Sequence, residues 1–211
     1  MILDLHTHSV RSDDGRAKVA NYCQWIKKKE LPLDGIVLTE HRQFDDESDY
    51  RYLEDQYGLV ILKASEVETD YGHVLLFGVN EDLVHAFDFA RIDNPIRDVL
   101  AAATRCGGYA VPCHPGRKNV GLFSHYEVKG PVDEVEMVEI FNGGSIPGED
   151  ERSRAEAERF GYRGIGGSDS HIVSRIGLCA TEFVDDITSI DDLVSALRAG
   201  RCEARTWRSA T

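Results

Sequence analysis

The sequence is short of positive charge. Its 24 Lys and Arg stand against 37 Asp and Glu in 211 residues, for a net charge of −13. Proteins that bind nucleic acid present a basic face, so this composition argues against broad binding to DNA or RNA. Interleaved basic and aromatic residues of the kind that track a single strand are also missing. No apolar run approaches a membrane span, so no membrane partner is expected. No basic stretch followed by an apolar one opens the chain, so no secretory leader is expected either. The five cysteines, Cys23, Cys106, Cys113, Cys179 and Cys202, are scattered and never spaced C-x-x-C. That argues against a disulfide framework and for free thiols in a reducing cytoplasm, behaving as small apolar residues. Repeats, low-complexity tracts and Pro- or Ser-rich linkers are absent, and the length suits one core, so residues 1–211 are expected to form a single domain.

What is present begins with Asp4-Leu5-His6-Thr7-His8-Ser9, after the apolar opening Met1-Ile2-Leu3. In a strand, side chains two apart point the same way. Asp4, His6 and His8 therefore share one face, and two imidazoles there can grip one metal ion.

Strand-like and helix-like stretches alternate along the chain. Val19, Tyr22, Cys23 and Ile26 fall at helical spacing within 18–30, followed by Pro32. Gly35 to His41, Leu59 to Glu68, His73 to Val79, Tyr109 to His114, Val135 to Phe141, Arg163 to Ser168 and Leu178 to Val184 read as strands. Helices are expected over 46–57, 95–106, 150–160 and 190–199, several closed by glycine. Residues 117–131 read as a long loop suited to substrate selection. This alternation points to an α/β fold of β/α units around a mostly parallel sheet or barrel.

The residues that chemistry would want sit at strand ends: His6, His8, His41, Glu66, His114, Asp169 and His171, with His73 opening its strand. In parallel barrels the carboxyl-terminal rim is where active sites form. A single histidine at such a place is usually structural, but this many ionisable groups buried together without a cation would carry a heavy desolvation penalty. Cys113 alternates with His114 and is expected to face the core.

As a set, these residues resemble the PHP (polymerase and histidinol phosphatase) family of metal-dependent phosphoesterases. The likeness rests on His6-Thr7-His8-Ser9 with Ser12-Asp13, Leu38-Thr39-Glu40-His41, Glu66, His73, His114-Pro115-Gly116 and Gly167-Ser168-Asp169-Ser170-His171, in family order. It implies a distorted (β/α)7 barrel and two or three divalent metals, Zn, Mn or Fe. Carried over, His6, His8, Glu66 and Asp169 would hold one ion, Glu66, His73 and His114 a second, and Asp13, His41 and His171 a third. Glu66, Asp169 and His171 would stand nearest the chemistry. Two departures stand out. The family reads Thr-Asp-His where this chain has Glu40, which puts the support of His41 in doubt. The run Ser12-Asp13-Asp14-Gly15 leaves Asp13 and Asp14 as alternatives, of which Asp13 is chosen by its distance from His8 along the chain.

The implied reaction is hydrolysis of a small-molecule phosphate ester by a hydroxide shared between two ions, since clustered ions acidify water and neutralise phosphoryl oxygens. Such ions would also offset the acidity of the chain locally. Arg117 and Arg175 are the candidates for gripping phosphate. Asn142 closes a strand on the same rim, and Asp4 is placed to orient a ligand histidine. His85 and His125 are expected to face solvent. Two other functions are compatible with the motifs: a metal-dependent C–N hydrolase of the amidohydrolase kind, which lacks here a lysine placed to bridge metals, and a metal-bound module without catalysis.

Overall fold

The computed structural model describes residues 1–208. Its first strand, β1 (Ile2–Thr7), is buried on both faces from Leu3 onward. Helix α1 (Val19–Lys28) turns Val19, Tyr22, Cys23 and Ile26 inward, the spacing of one helical face, and carries Lys27 and Lys28 in its last turn, where they suit the helix dipole. Strand β2 (Gly35–His41) follows, then α2 (Arg51–Tyr57), which stops at Gly58 in the left-handed region. Strands β3 (Val60–Thr69) and β4 (Gly72–Phe77) form a hairpin, succeeded by α3 (Glu81–Ala86), α4 (Ile96–Arg105) and β5 (Tyr109–Pro112). The carboxyl-terminal half runs α5 (Leu122–Lys129), β6 (Met137–Asn142), α6 (Glu149–Phe160), β7 (Arg163–Gly167), β8 (Cys179–Phe183), α7 (Ile190–Ala199) and β9 (Cys202–Thr206).

Seven strands make one sheet in the order β5-β4-β3-β2-β1-β8-β9. β6 and β7 pair in parallel as a separate ribbon, with β6 beside β5 and β7 beside β1, so the sheet curls round on itself. The result is the mixed α/β, distorted barrel that the motifs implied, but its sheet is not mostly parallel. In the large sheet only the β1–β2 and β2–β3 pairs are parallel; β3–β4, β4–β5, β1–β8 and β8–β9 are antiparallel. The reason is local. Thr69 pairs with Gly72, so the β3–β4 link is a tight turn with no room for a crossover.

Three differences from the sequence reading concern elements. The helix expected from residue 46 begins at Arg51. The expected loop 117–131 contains α5, and β9 forms an edge strand that the alternation did not mark. Inside the curl, Leu3, Leu5, Val37, Leu75, Val111, Met137 and Ile165 pack into one apolar cluster that floors the rim above it.

Candidate metal centre

One carboxylate organises that rim. Glu66, near the end of β3, is 1% exposed. Its Oε2 lies 3.2 Å from His6 Nε2, 3.2 Å from His8 Nε2 and 3.0 Å from His41 Nδ1. Its Oε1 lies 2.9 Å from His73 Nδ1, 3.1 Å from His114 Nε2 and 3.2 Å from Cys113 Sγ. Five imidazoles thus ring one side chain. Asp169 Oδ1 completes the Oε2 side, 3.4 Å from His6 Nε2 and 3.5 Å from His8 Nε2. At the open edge, His41 Nε2 and His171 Nε2 stand 3.2 Å apart, with Asp14 Oδ2 3.1 Å from His171 Nε2.

The backbone explains the convergence. Alternation along β1 brings His6 and His8 to one face, and the β3–β4 register sets His73 opposite Glu68 and so diagonal to Glu66. The end of β1 is laced to the segment after β7: His8 N–H donates to Ser170 O at 2.9 Å, and the hydroxyl of buried Tyr22 sits 2.8 Å from both His8 O and Ser170 O. Gly167 has no side chain because one would stand 2.4 Å from His6 Cβ. His114 and Asp169 both adopt positive φ, +33° and +50°. Non-glycine residues hold such angles only when surrounding contacts impose them, at about 1–3 kcal/mol each. For His114 one such contact is its N–H donating to Glu139 Oε2 at 2.8 Å.

Outer contacts fix which ring nitrogens face inward. His6 Nδ1 lies 3.0 Å from Glu139 Oε1, a carboxylate that only accepts, so Nδ1 carries the hydrogen and Nε2 faces Glu66 and Asp169. Ser12 does the same for His8. Its hydroxyl donates to Glu40 Oε2 at 2.6 Å, so His8 Nδ1, 3.3 Å from Ser12 Oγ, must donate to it. Among the described residues, His8 Nε2 is then left buried without a hydrogen-bond partner, aimed at two carboxylates.

The charges follow. Burial opposes a charged His8, but the carboxylates of Asp169 and Glu66 that face its Nε2 outweigh it and raise the ring to about 9. His6 is also raised well above its ordinary value, against burial, by Glu139, Asp169 and Glu66. Burial alone would raise Glu66 and Asp169; the positive His6 and the surrounding imidazole contacts hold both well below the usual carboxylate range. Burial lowers His114 and His171.

These residues fit divalent metal. The donor atoms of His6, His8, Glu66 and Asp169 lie within 4.8 Å of one another, as do those of His6, Glu66, Cys113 and His114 and those of His8, His41 and His171. Contacts of 2.9–3.5 Å bracket the roughly 3.3 Å edge of a tetrahedron with bonds of about 2.0 Å. A cation also gives the unpartnered His8 Nε2 something to bind.

The sequence named most of these positions, with corrections. Asp13 is turned away: its Oδ2 pairs with Arg42 at 2.6 Å, and Asp14 instead faces His41 and His171, because the turn after Ser12 puts the next acid but one toward the rim. Cys113 is in the core but also reaches Glu66, so facing the core and facing the cluster were not alternatives. Arg117 reaches the centre, with Nη2 3.0 Å from Asp169 Oδ2 and 3.1 Å from Asn142 Oδ1. Arg175 lies exposed in a 3₁₀ turn and makes no hydrogen bond or ion pair to the cluster among the described residues. Glu40 supports Ser12, which in turn accepts from His41 N at 3.0 Å, so the longer acid keeps that support. Asp4 accepts from the N–H groups of Ser168 and Gly177 and from His6 N–H, bracing the backbone rather than a ring. His85 is exposed, and His125 lies on α5 against Asn119 O. Glu139 was missed. Its one signal was an acid in an apolar strand, three residues before Asn142, whose Nδ2 donates to it at 2.8 Å.

A PHP-associated family model matches residues 147–202. No curated protein matches. Among solved structures, PsfC from Pseudomonas syringae shares the fold at TM-score 0.70 and 18% identity, over 97% of this chain and 91% of that one. A protein assigned as a metal-dependent phosphoesterase from Bifidobacterium adolescentis does so at TM-score 0.60 and 17% identity, over 93% and 95%. The lesion-specific endonuclease Q of Pyrococcus furiosus does so at TM-score 0.67 and 14% identity, over 96% of this chain and 57% of that one. The family match over residues 147–202 and the shared fold both agree with the PHP-type barrel that the motifs implied. The expectation that such a chain avoids nucleic acid does not stand, since endonuclease Q is solved on a 27-mer duplex with an abasic lesion. Net charge sums a whole chain and does not describe the field in one cleft. Among the described residues, no helix is long and apolar enough to cross a membrane.

Proposed function

We propose that residues 1–211 work as one PHP-type domain that hydrolyses a phosphate ester with divalent metal ions. The observation that carries this reading is Glu66, with His6, His8 and His41 on one oxygen and His73 and His114 on the other. On it, His6, His8, Glu66 and Asp169 hold one ion and Glu66, His73 and His114 a second. His41, His171 and Asp14 hold a third where three are bound. Zn, Mn and Fe all suit such a donor set.

When bound, the ions lower the pKa of a water and neutralise phosphoryl oxygens. The chain's own residues do the rest. Glu139 and Ser12 hold the His6 and His8 rings with Nε2 inward. Arg117, a quarter exposed and braced by Asn142 and Asp169, offers its guanidinium to a phosphate oxygen at the edge of the cluster. Gly144 keeps that edge open: an added Cβ would meet Asn142 Oδ1, Asp169 Oδ2 and Arg117 Nη2 at 3.0–3.1 Å.

The motifs favour a phosphate ester; a small-molecule mono- or diester is the first reading, and the fold shared with endonuclease Q makes a nucleic-acid phosphodiester the second. Metal-loaded protein assayed on phosphomonoesters, phosphodiesters, abasic duplex DNA and amides separates them, with His6→Ala alongside. Phosphate-ester cleavage lost in His6→Ala is expected. Amide turnover without ester cleavage would overturn the proposal.

A further inference from the structure

We infer that Cys113 is itself a metal ligand, closing the site on the Oε1 side of Glu66 with a thiolate. The inference rests on the metal-centre reading above and adds a donor to it. Cys113 follows β5 directly and is fully buried. Its Sγ lies 3.2 Å from Glu66 Oε1, the same oxygen that meets His73 Nδ1 at 2.9 Å and His114 Nε2 at 3.1 Å. With donor atoms of His6, Glu66 and His114 it falls inside one 4.8 Å group.

A second observation points to a ligand at this carboxylate. His8 Nε2, fully buried and unpartnered, faces the other oxygen of Glu66, so the carboxylate is not closed by hydrogen bonds alone. The other cysteines differ. Cys179, equally buried, rests against Thr206 Oγ1 at 3.4 Å, and Cys23 packs in the apolar cluster under α1. A purely apolar role at position 113 would not need sulfur beside a carboxylate and two imidazoles.

The consequence is chemical. With Glu66, His73 and His114, a Cys113 thiolate makes four donors, the number a tetrahedral zinc site takes. Thiolate favours zinc or iron over manganese or magnesium, which prefer oxygen donors. The two sides of Glu66 are therefore unequal: the Oε2 side, with imidazole and carboxylate donors, accepts harder ions than the Oε1 side.

The test uses the full chain loaded with cobalt(II) as the sole metal. Wild type is expected to show thiolate-to-cobalt charge-transfer absorption in the near ultraviolet. Cys113→Ser is expected to lose that absorption while keeping visible cobalt bands, and to weaken zinc retention at one site by at least about tenfold. A variant with Cys23, Cys106, Cys179 and Cys202 all changed to serine is expected to keep it, which holds the test should Cys113→Ser fold poorly. Cobalt bound without charge-transfer absorption, or absorption that persists in Cys113→Ser, overturns the thiolate ligand and leaves the metal centre standing. Failure of wild type to bind cobalt at all overturns both.

Discussion

His8 Nε2 stands 3.2 Å from Glu66 Oε2, and no hydrogen bond joins them. Ser12 takes the hydrogen on the other ring nitrogen, so the neutral ring presents a lone pair to an anion. A proton or a metal ion resolves that opposition, and the two compete.

The competition sets a pH dependence. His8 and His6 have folded pKa values above the ordinary 6.5, about 9 for His8. A group raised on folding stabilises the fold below its unfolded pKa and loses that contribution as pH rises through the folded value. Metal-free protein is therefore expected to lose thermal stability between pH 6.5 and about 9. On the acid side, Glu66 and Asp169 are lowered, so their contribution is lost as pH falls below ordinary carboxylate values. Metal-loaded protein, in which ions replace those protons, is expected to hold its midpoint across the alkaline window. Calorimetry with and without chelator checks this; parallel profiles would contradict it.

Glu139→Gln removes a carboxylate that accepts from His6 Nδ1, His114 N–H and Asn142 Nδ2. The amide nitrogen must then face a donor. Metal affinity is expected to fall about 10–100-fold, the usual effect of losing a partner that orients a ligand. Ser12→Ala is expected to act similarly through His8 and to cost about 1–3 kcal/mol, since it leaves buried polar groups unmatched. Chelator competition and thermal melts read both.

Asp14→Asn is expected to weaken the His41–His171 corner, while Asp13→Asn leaves it intact, because Asp13 pairs with Arg42 at the surface. Metal content per chain for the two variants distinguishes them; the reverse ranking would restore Asp13.

Arg117→Ala is expected to lower kcat/KM on a phosphate ester by about 100-fold with metal content unchanged, the scale for removing one charge-stabilising donor. Arg175→Ala is expected to change little, given its exposed position. Steady-state kinetics with metal analysis checks both; an unchanged Arg117→Ala removes it from the site.

Much of this centre was legible in the sequence because strand alternation is a local rule. It puts His6 with His8 on one face and Asp169 just past a strand end, where the structure has them, while Glu66, expected at a strand end, lies inside a strand that runs on to Thr69. What escaped depends on geometry that no spacing carries. Asp13 and Asp14 differ only in how a turn rotates. Glu139 looks like any acid in a strand until β6 is laid against β5 and its carboxylate meets His114 N–H. The antiparallel joining of β4 and β5 hides for a similar reason. Apolar runs reveal strands but not their direction, and the tight turn before Gly72 sets that direction. β9 is short and half-exposed at an edge, so its pattern barely rises above the tail.

Glu66→Gln with metal analysis tests the central claim most directly. Because Oε1 and Oε2 face different histidines, losing the charge is expected to empty both sides together, with the fold retained by circular dichroism and no phosphate-ester cleavage. A folded Glu66→Gln protein that keeps the full metal complement of wild type would contradict the account.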